Sequence, residues 1–440
     1  MEFKQYQSYK PSGVEWLGDV PEHWNLKRFG YLFDENKKKN IGLKETNVLS
    51  LSYGNIKEKN IDENKGLLPE SFETYQIIEP NNIVFRFTDL QNDKRSLRSA
   101  ISKYHGIITS AYIAVKTKQN ADFYNYLFRA YDLQKVFYSM GEGMRQSLKM
   151  DELNKMPVVL PNKDEQKRIV SFLDTETARI DNLIAKQEKL IELLEEQRKS
   201  IISHAVTKGL NPNAPMKDSG VEWLGEVPEH WTVLKNRHIF NFSKGLSITK
   251  ENLQESGIPC VSYGEVHSKF GFEFNPEIND MKFVSEEYLK TSKNCLLNSG
   301  DFIFADTSED FEGSGNFSYL NSNSQVFAGY HTVIARLKSK QKPRFFAYIF
   351  DSNAHRKQIQ TQVKGIKVFS ITQGILKDIY SWLPPVHEQD LIVEYLDNEC
   401  KKISLLKAKQ IELIEKLKEY RSSIISHAVT GKIDVREFGA

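Results

Sequence analysis

Several residue arrangements in this 440-residue chain could do chemistry, and each can be tested against what that chemistry needs. Phe311-Glu312-Gly313-Ser314-Gly315 fits the F-x-G-x-G pattern of adenosylmethionine-binding methyltransferases. Those enzymes also need an [ND]-P-P-[YF] run to hold the target amine, and Asn211-Pro212-Asn213 and Leu383-Pro384-Pro385-Val386 both fail it, so the glycines are assigned to a loop. Glu165-Gln166-Lys167 resembles the E-x-K tail of a metal-dependent nuclease, but a second copy of the segment carries Asp390 in place of the lysine. No G-x-x-x-x-G-K-[ST] phosphate loop is present, so ATP hydrolysis is not expected of this chain. Cys260, Cys295 and Cys400 are odd in number and lack C-x-x-C spacing, which argues against a disulfide framework or cysteine-rich zinc site and for the reducing cytosol. His204 and His427 stand alone in apolar helix ends, as helix-terminal or packing residues do. No catalytic, cofactor or metal site is assigned.

Binding chemistry is better represented. Asp89 to Arg98 places Lys94, Arg95 and Arg98 directly after an expected strand, where a loop can supply phosphate contacts and bidentate arginine–guanine readout. A solvated charged loop is the competing account. Residues 25–159 hold 21 Lys+Arg against 16 Asp+Glu, and residues 232–382 hold 18 against 15, so both regions are mildly basic. The corresponding stretch of the second region, Asp306 to Gly315, is acidic and glycine-rich, so two nucleic-acid-binding regions would have to use different residues.

The elements that position these residues come in two copies. Ser12 to Trp24 (SGVEWLGDVPEHW) and Ser219 to Trp231 differ only at Asp19 against Glu226. Leu160 to Leu210 aligns without a gap to Leu383 to Ile433, both copies containing SIISHAVT. Between these shared segments lie two stretches of different length and low identity, with landmarks in common: Ser52-Tyr53-Gly54 with Ser262-Tyr263-Gly264, Ile83-Val84-Phe85 with Phe302-Ile303-Phe304, and Tyr126-Leu127-Phe128 with Tyr348-Ile349-Phe350. Such self-similarity dictates the architecture before any local reading. The expected division is 1–24 shared segment, 25–160 first variable domain, 161–207 long helix, 208–231 linker and shared segment, 232–384 second variable domain, 385–430 second long helix and 431–440 tail.

Net charge is +2, 40% of residues are apolar and 11% aromatic, which supports folded cores and gives no apolar run of membrane-spanning length. From Glu165 to Val206 there is no Pro or Gly, and Leu173, Thr177, Ile180, Ile184, Gln187, Ile191, Leu194, Arg198, Ile201 and Ala205 alternate by four and three, the seam of a coiled coil. At ~1.5 Å per residue this is a rod of about 63 Å. A lone rod cannot bury its stripe, and the second copy, with Gln410, Leu413, Leu417 and Ile424 in its seam, is the natural antiparallel partner. In such a pair Gln187 would meet Gln410. Trp16, Trp24, Trp223 and Trp231, beside Pro21 and Pro228, read as anchors of loops onto a core. The variable domains read as α+β units. In the first, strands are expected near 46–51, 82–87 and 107–115 and a helix near 122–139. In the second, strands are expected near 258–262, 301–304 and 331–337 and a helix near 344–362.

With these residues in hand, residues 12–435 resemble the specificity subunit of a type I restriction-modification system. The resemblance rests on the VEWLG-x-VPEHW openings, the LP-x-x-x-EQ start of each long helix, the SIISHAVT ends, the duplicated order and Phe85-Arg86-Phe87-Thr88-Asp89-Leu90. It implies a non-catalytic subunit in which two target-recognition domains each read half of a bipartite double-stranded DNA target. Two helices form an antiparallel coiled coil that spaces the domains. It also implies two methyltransferase subunits and further restriction subunits as partners, with S-adenosylmethionine, ATP and Mg on those partners, and a cytoplasmic setting with no membrane. From charge and loop position the DNA-contact candidates are Tyr53, Lys57, Arg86, Lys94, Arg95, Arg98, Arg145, Lys244, Tyr263, Lys269, Lys364 and Lys367.

Two other classes of function stay open on sequence. A self-contained DNA methyltransferase with a degenerate F-x-G-x-G site would transfer methyl groups without partners. A coiled-coil protein-interaction scaffold would bind no DNA even when assembled.

Overall fold

The computed structural model describes residues 3–60, 71–88, 90, 97–140, 147–365 and 368–438. The chain divides into two compact units, Met1–Glu188 with Ile411–Ala440, and Lys189–Gln410, so each unit takes one end of each long helix. Those helices run Lys163–Lys208 and Val386–Val429.

In the first unit the variable domain is entered and left through a neck. Asn25–Arg28 pairs antiparallel with Pro157–Leu160, Leu26 opposite Val159. Inside it a four-stranded antiparallel sheet has the order Phe33–Glu35, Ile113–Thr117, Ile83–Phe85, Ser99–Ile101. The helix Ala121–Leu133 packs Tyr124, Leu127 and Phe128 onto Phe29, Phe33 and Phe85, all buried. Phe29 and Phe33 stack with centroids 4.2 Å apart. The Asn120 side chain caps that helix by accepting from the Phe123 amide. The expected strand over 107–115 is two strands: Gly106–Ile108 pairs with Gln76–Ile78, and a turn at Thr109–Tyr112 redirects the chain into the main sheet. The expected helix over 122–139 breaks at Lys135, whose φ of +62° is left-handed, and resumes as Val136–Met140.

The second unit repeats this plan. Thr232–Lys235 pairs with Tyr380–Leu383 as the neck. The main sheet has the order Phe240–Lys244, Thr332–Leu337, Phe302–Ala305, Phe317–Leu320, Glu273–Phe274, the same first four positions with an extra, parallel edge strand. Its core is again aromatic: Phe240, Phe302, Phe304, Phe346 and Phe350. The expected helix over 344–362 is two, Pro343–Asp351 and Asn353–Gln360, because the Ser352 hydroxyl caps the second one. The longer intervening sequence builds a second, four-stranded sheet from Lys282–Val284, Ile258–Val261, Val326–Ala328 and Leu296–Leu297.

Within each unit the rod segments run antiparallel. In the first, Asp181 and Arg421 form a two-bond ion pair at 2.8 and 3.1 Å, while Phe172, earlier on its helix, meets Phe438 beyond the end of the other. Leu173, Ile180 and Ile424 are buried, with Ile184 and Leu417 at the edge of the same core. In the second, Glu195 bonds Lys407, and Leu194 and Ile201 lie along the inner side. Ile191, Gln187 and Gln410 are half-buried. The expectation for Leu413 is corrected: it is 40% exposed, and Ile414 beside it is 6% exposed and fills the seam position. Ile414 is also the repeat partner of Ile191, whereas Leu413 matches the exposed Leu190. Trp24 and Trp231 are fully buried anchors, Trp16 packs on the first core, and Trp223 is 44% exposed.

Candidate nucleic-acid interface

The frame that carries each domain is built from the repeated motifs themselves. In the first unit the buried Glu165 carboxylate bonds His23 of VPEHW at 3.0 Å. In the second, Glu388 bonds His230 at 2.8 Å and accepts from the Trp231 indole at 3.2 Å. The neighbouring glutamines hold the domains. The Gln166 side-chain oxygen accepts the Asn120 amide at 3.1 Å, and its nitrogen donates to the Pro161 carbonyl. Gln389 does the same with the Lys342 amide at 3.1 Å and the Pro384 carbonyl. The landmark tyrosines complete the joint: Tyr126 donates to Asp174 at 2.8 Å, and Tyr348 to Asp397 at 2.5 Å. Burial raises the Tyr126 phenol to about 12. Arg344 also grips Asp397 and Glu273, and although burial opposes its charge, these bonds raise its pKa. The E-x-K resemblance is therefore a structural clamp.

In the first domain, Tyr53 and Gly54 form the turn between the paired strands Leu49–Ser52 and Asn55–Glu58. Their φ values are +46° and +72°. Two left-handed residues make the turn that suits a twisted hairpin, and a tyrosine in that conformation is unusual. Its ring is 76% exposed. Beneath the turn lies Arg129, which donates to the Gly54 carbonyl at 2.7 Å. A Cβ on Gly54 would come within 2.3 Å of that guanidinium, so a larger residue there, besides adopting a left-handed φ, would push the Arg129 side chain aside. Burial lowers the Arg129 pKa. Lys57 is exposed on the following strand and Arg86 is half-buried. Arg98 is corrected: it is buried, donates to the Thr88 carbonyl at 3.2 Å and the Tyr138 hydroxyl at 3.3 Å, and offers its amide to Asp132. A guanidinium committed inside the domain cannot reach DNA. Lys94, Arg95 and Arg145 lie outside the described residues, as does Lys367 in the second domain.

In the second domain Lys244 is exposed at a strand end, Lys364 is exposed beside Ser370, and Lys269 is paired with Asp280 at 2.9 Å. Tyr263 follows the strand Ile258–Val261 as Tyr53 follows its own, but begins the short helix Tyr263–Ser268. It lines a cavity of about 590 Å³ together with His267, Thr307, Glu309, Asn316 and His331. Phe311 to Gly315 belongs to the loop on this cavity, where the Gly313 amide bonds the Asp310 side chain at 2.5 Å. Sequence reasoning missed His331, whose approach to Tyr263 comes from the sheet, and Arg129, which lies far from Gly54 in the chain. A Ser-Tyr-Gly landmark at both places was the available signal.

No helix among the described residues is long and apolar enough to cross a membrane, and none of their His, Cys, Asp and Glu form a cluster that could hold a metal. Against known proteins, the chain is 26% identical over 423 residues to the type I restriction enzyme MjaVIII specificity subunit of Methanocaldococcus jannaschii, covering 95% of this chain and 94% of that one. In fold it is similar to a chain from a solved type I R-M system (TM-score 0.69, 16% identity, 93% of this chain and 98% of that one). It is also similar to the HsdS subunit from Thermoanaerobacter tengcongensis (TM-score 0.54, 15% identity, 94% and 98%). The family model described as the type I restriction modification DNA specificity domain matches residues 100–193 and 228–416. The chain therefore belongs to the type I restriction-modification DNA specificity family.

Proposed function

We propose that this chain is the DNA sequence-recognition subunit of a type I restriction-modification complex, each variable domain reading one half of a bipartite target. The observation that carries this reading is the duplicated frame. Both domains are held by the same Glu–His, Gln–amide and Tyr–Asp contacts, while the sequences between the shared segments differ in charge and length. A constant mount with two different faces suits a molecule that must present two readers. The rod helices set the separation of the half-sites and dock two methyltransferase subunits. Methyl transfer, with S-adenosylmethionine, belongs to those subunits, and ATP- and Mg-dependent cleavage to the restriction subunits of the cytoplasmic complex. The test is modified-base sequencing of genomic DNA from cells with and without the gene, partner genes held constant. Loss of N6-methyladenine from one two-part motif is expected, and an unchanged methylation pattern with a functional methyltransferase present would overturn the reading.

A further inference from the structure

The cavity beside Tyr263 has a wall fixed by directed hydrogen bonds. His267 Nε2 lies 2.7 Å from the Thr307 carbonyl and must donate to it, so Nδ1 accepts, from the Asn316 amide at 2.9 Å. Asn316 is oriented in turn, because its oxygen accepts from Arg356 at 2.9 Å. This chain of bonds locks the loop after Phe302–Ala305 against the helix Tyr263–Ser268. On the rim, His331 is held with φ at +55°, a left-handed conformation uncommon outside glycine, though less so for histidine than for most residues. Its Nδ1 lies 3.1 Å from an Asp306 carboxylate oxygen, and its ring is 5.5 Å from that of Tyr263. In the neutral imidazole, with Nδ1–H turned to the carboxylate, Nε2 is left as an acceptor. Glu309, exposed on the same rim, has no hydrogen-bond or ion-pair partner among the described residues and adds further acceptor oxygens.

Resting on the proposed DNA-recognition function, we infer that this rim is the base-reading site of the second domain. His331 and Glu309 accept hydrogen bonds from the exocyclic amino group of adenine or cytosine in the major groove, and Asp306 positions His331. A carboxylate is repelled by the phosphate backbone, so acceptors on a DNA-facing rim complement base-edge donors, N6 of adenine and N4 of cytosine, and little else on the duplex. This gives the acidic stretch a purpose in a domain whose counterpart has Lys94 and Arg95 at the corresponding place in the sequence. The strained backbone at His331 fits the same role, since strain that the fold maintains collects where a side chain must be aimed.

The experiment uses the complex assembled with its methyltransferase partner and sequences modified bases for His331→Gly and Glu309→Gln. Glycine accepts a positive φ freely, so His331→Gly relieves strain while removing the ring. The expected result is a relaxed requirement at a base pair of one half-site, roughly tenfold or more in preference, with the other half-site kept and the melting temperature not lowered. Whether the relaxed position is adenine or cytosine names the amino group. An unchanged motif in both variants would overturn the inference, as would a lowered melting temperature with loss at both half-sites. If the unaltered complex itself methylates no two-part motif, the proposed function fails first and this inference with it.

Discussion

His23 and Glu165 lie 3.0 Å apart, the carboxylate 1% exposed and the imidazole at the surface, so the invariant part of the frame is tied by a bond with one foot in the core. The equivalent Glu388 is 20% exposed and keeps a second donor in Trp231. Removing the histidine should therefore cost more in the first unit. His23→Ala is expected to destabilise by about 1–3 kcal/mol, because the buried Glu165 carboxylate loses its imidazole donor, and His230→Ala by about 0.5–1 kcal/mol. Urea unfolding of each variant measures the difference, and equal losses would contradict the burial argument.

Gln166 and Gln389 hold their domains through main-chain amides. Replacing either by alanine leaves an amide at the start of a domain helix without its acceptor and should cost about 1–2 kcal/mol. Amide exchange at Asn120 in Gln166→Ala, and at Lys342 in Gln389→Ala, should rise while exchange in the opposite domain stays as it was.

Acid sensitivity should concentrate at His355. It is buried against Phe350, with ring centroids 4.6 Å apart, neither ring nitrogen has a hydrogen-bond partner among the described residues, and burial pushes its pKa down to about 3. The folded value lies below the ordinary 6.5. The unfolded chain therefore takes up the proton first, and the stability is present above that ordinary value and lost as pH falls toward the folded one. The loss from this group is about 1.4 kcal/mol per pH unit once the unfolded form is protonated. His355→Leu should flatten the fall of the unfolding midpoint between about pH 6.5 and pH 5. The same slope in the variant would assign the sensitivity elsewhere.

The rod supplies a ruler test. Four residues inserted near Ala205 add ~6 Å of helix, and the unspecified spacer between half-sites should lengthen by about one or two base pairs at ~3.4 Å per step. Modified-base sequencing reads the spacer directly, and an unchanged one would remove the rod from the role of spacer.

The repeat, the two rods and the buried anchors Trp24 and Trp231 were legible because each leaves a one-dimensional trace, in identity, in heptad spacing or in the pairing of Trp with Pro, whereas Trp223, expected as an anchor too, is 44% exposed. Arg98 was not, because nothing local distinguishes an arginine that turns inward to Thr88 and Tyr138 from one that faces water. The breaks at Lys135 and Ser352 were hidden in helix-compatible runs, one ended by a left-handed residue and the other restarted by a serine cap. Leu413 and Ile414 are adjacent apolar residues, so spacing alone allowed either into the seam, and the alignment of the two repeats carried the answer. At the candidate interface, the sequence marked Tyr53 and Tyr263 but not Arg129 or His331, which reach them through the fold.

The necks have a consequence for heredity. Each variable domain joins its frame through two short paired strands, and the frame grips it through main-chain amides and a repeated tyrosine, so a domain that keeps that tyrosine fits the mount. The flanking motifs are near-identical in the two halves, so the gene carries matched sequence on either side of each domain. Paired crossovers, one in each flank, would replace one domain intact and leave both shared segments in place.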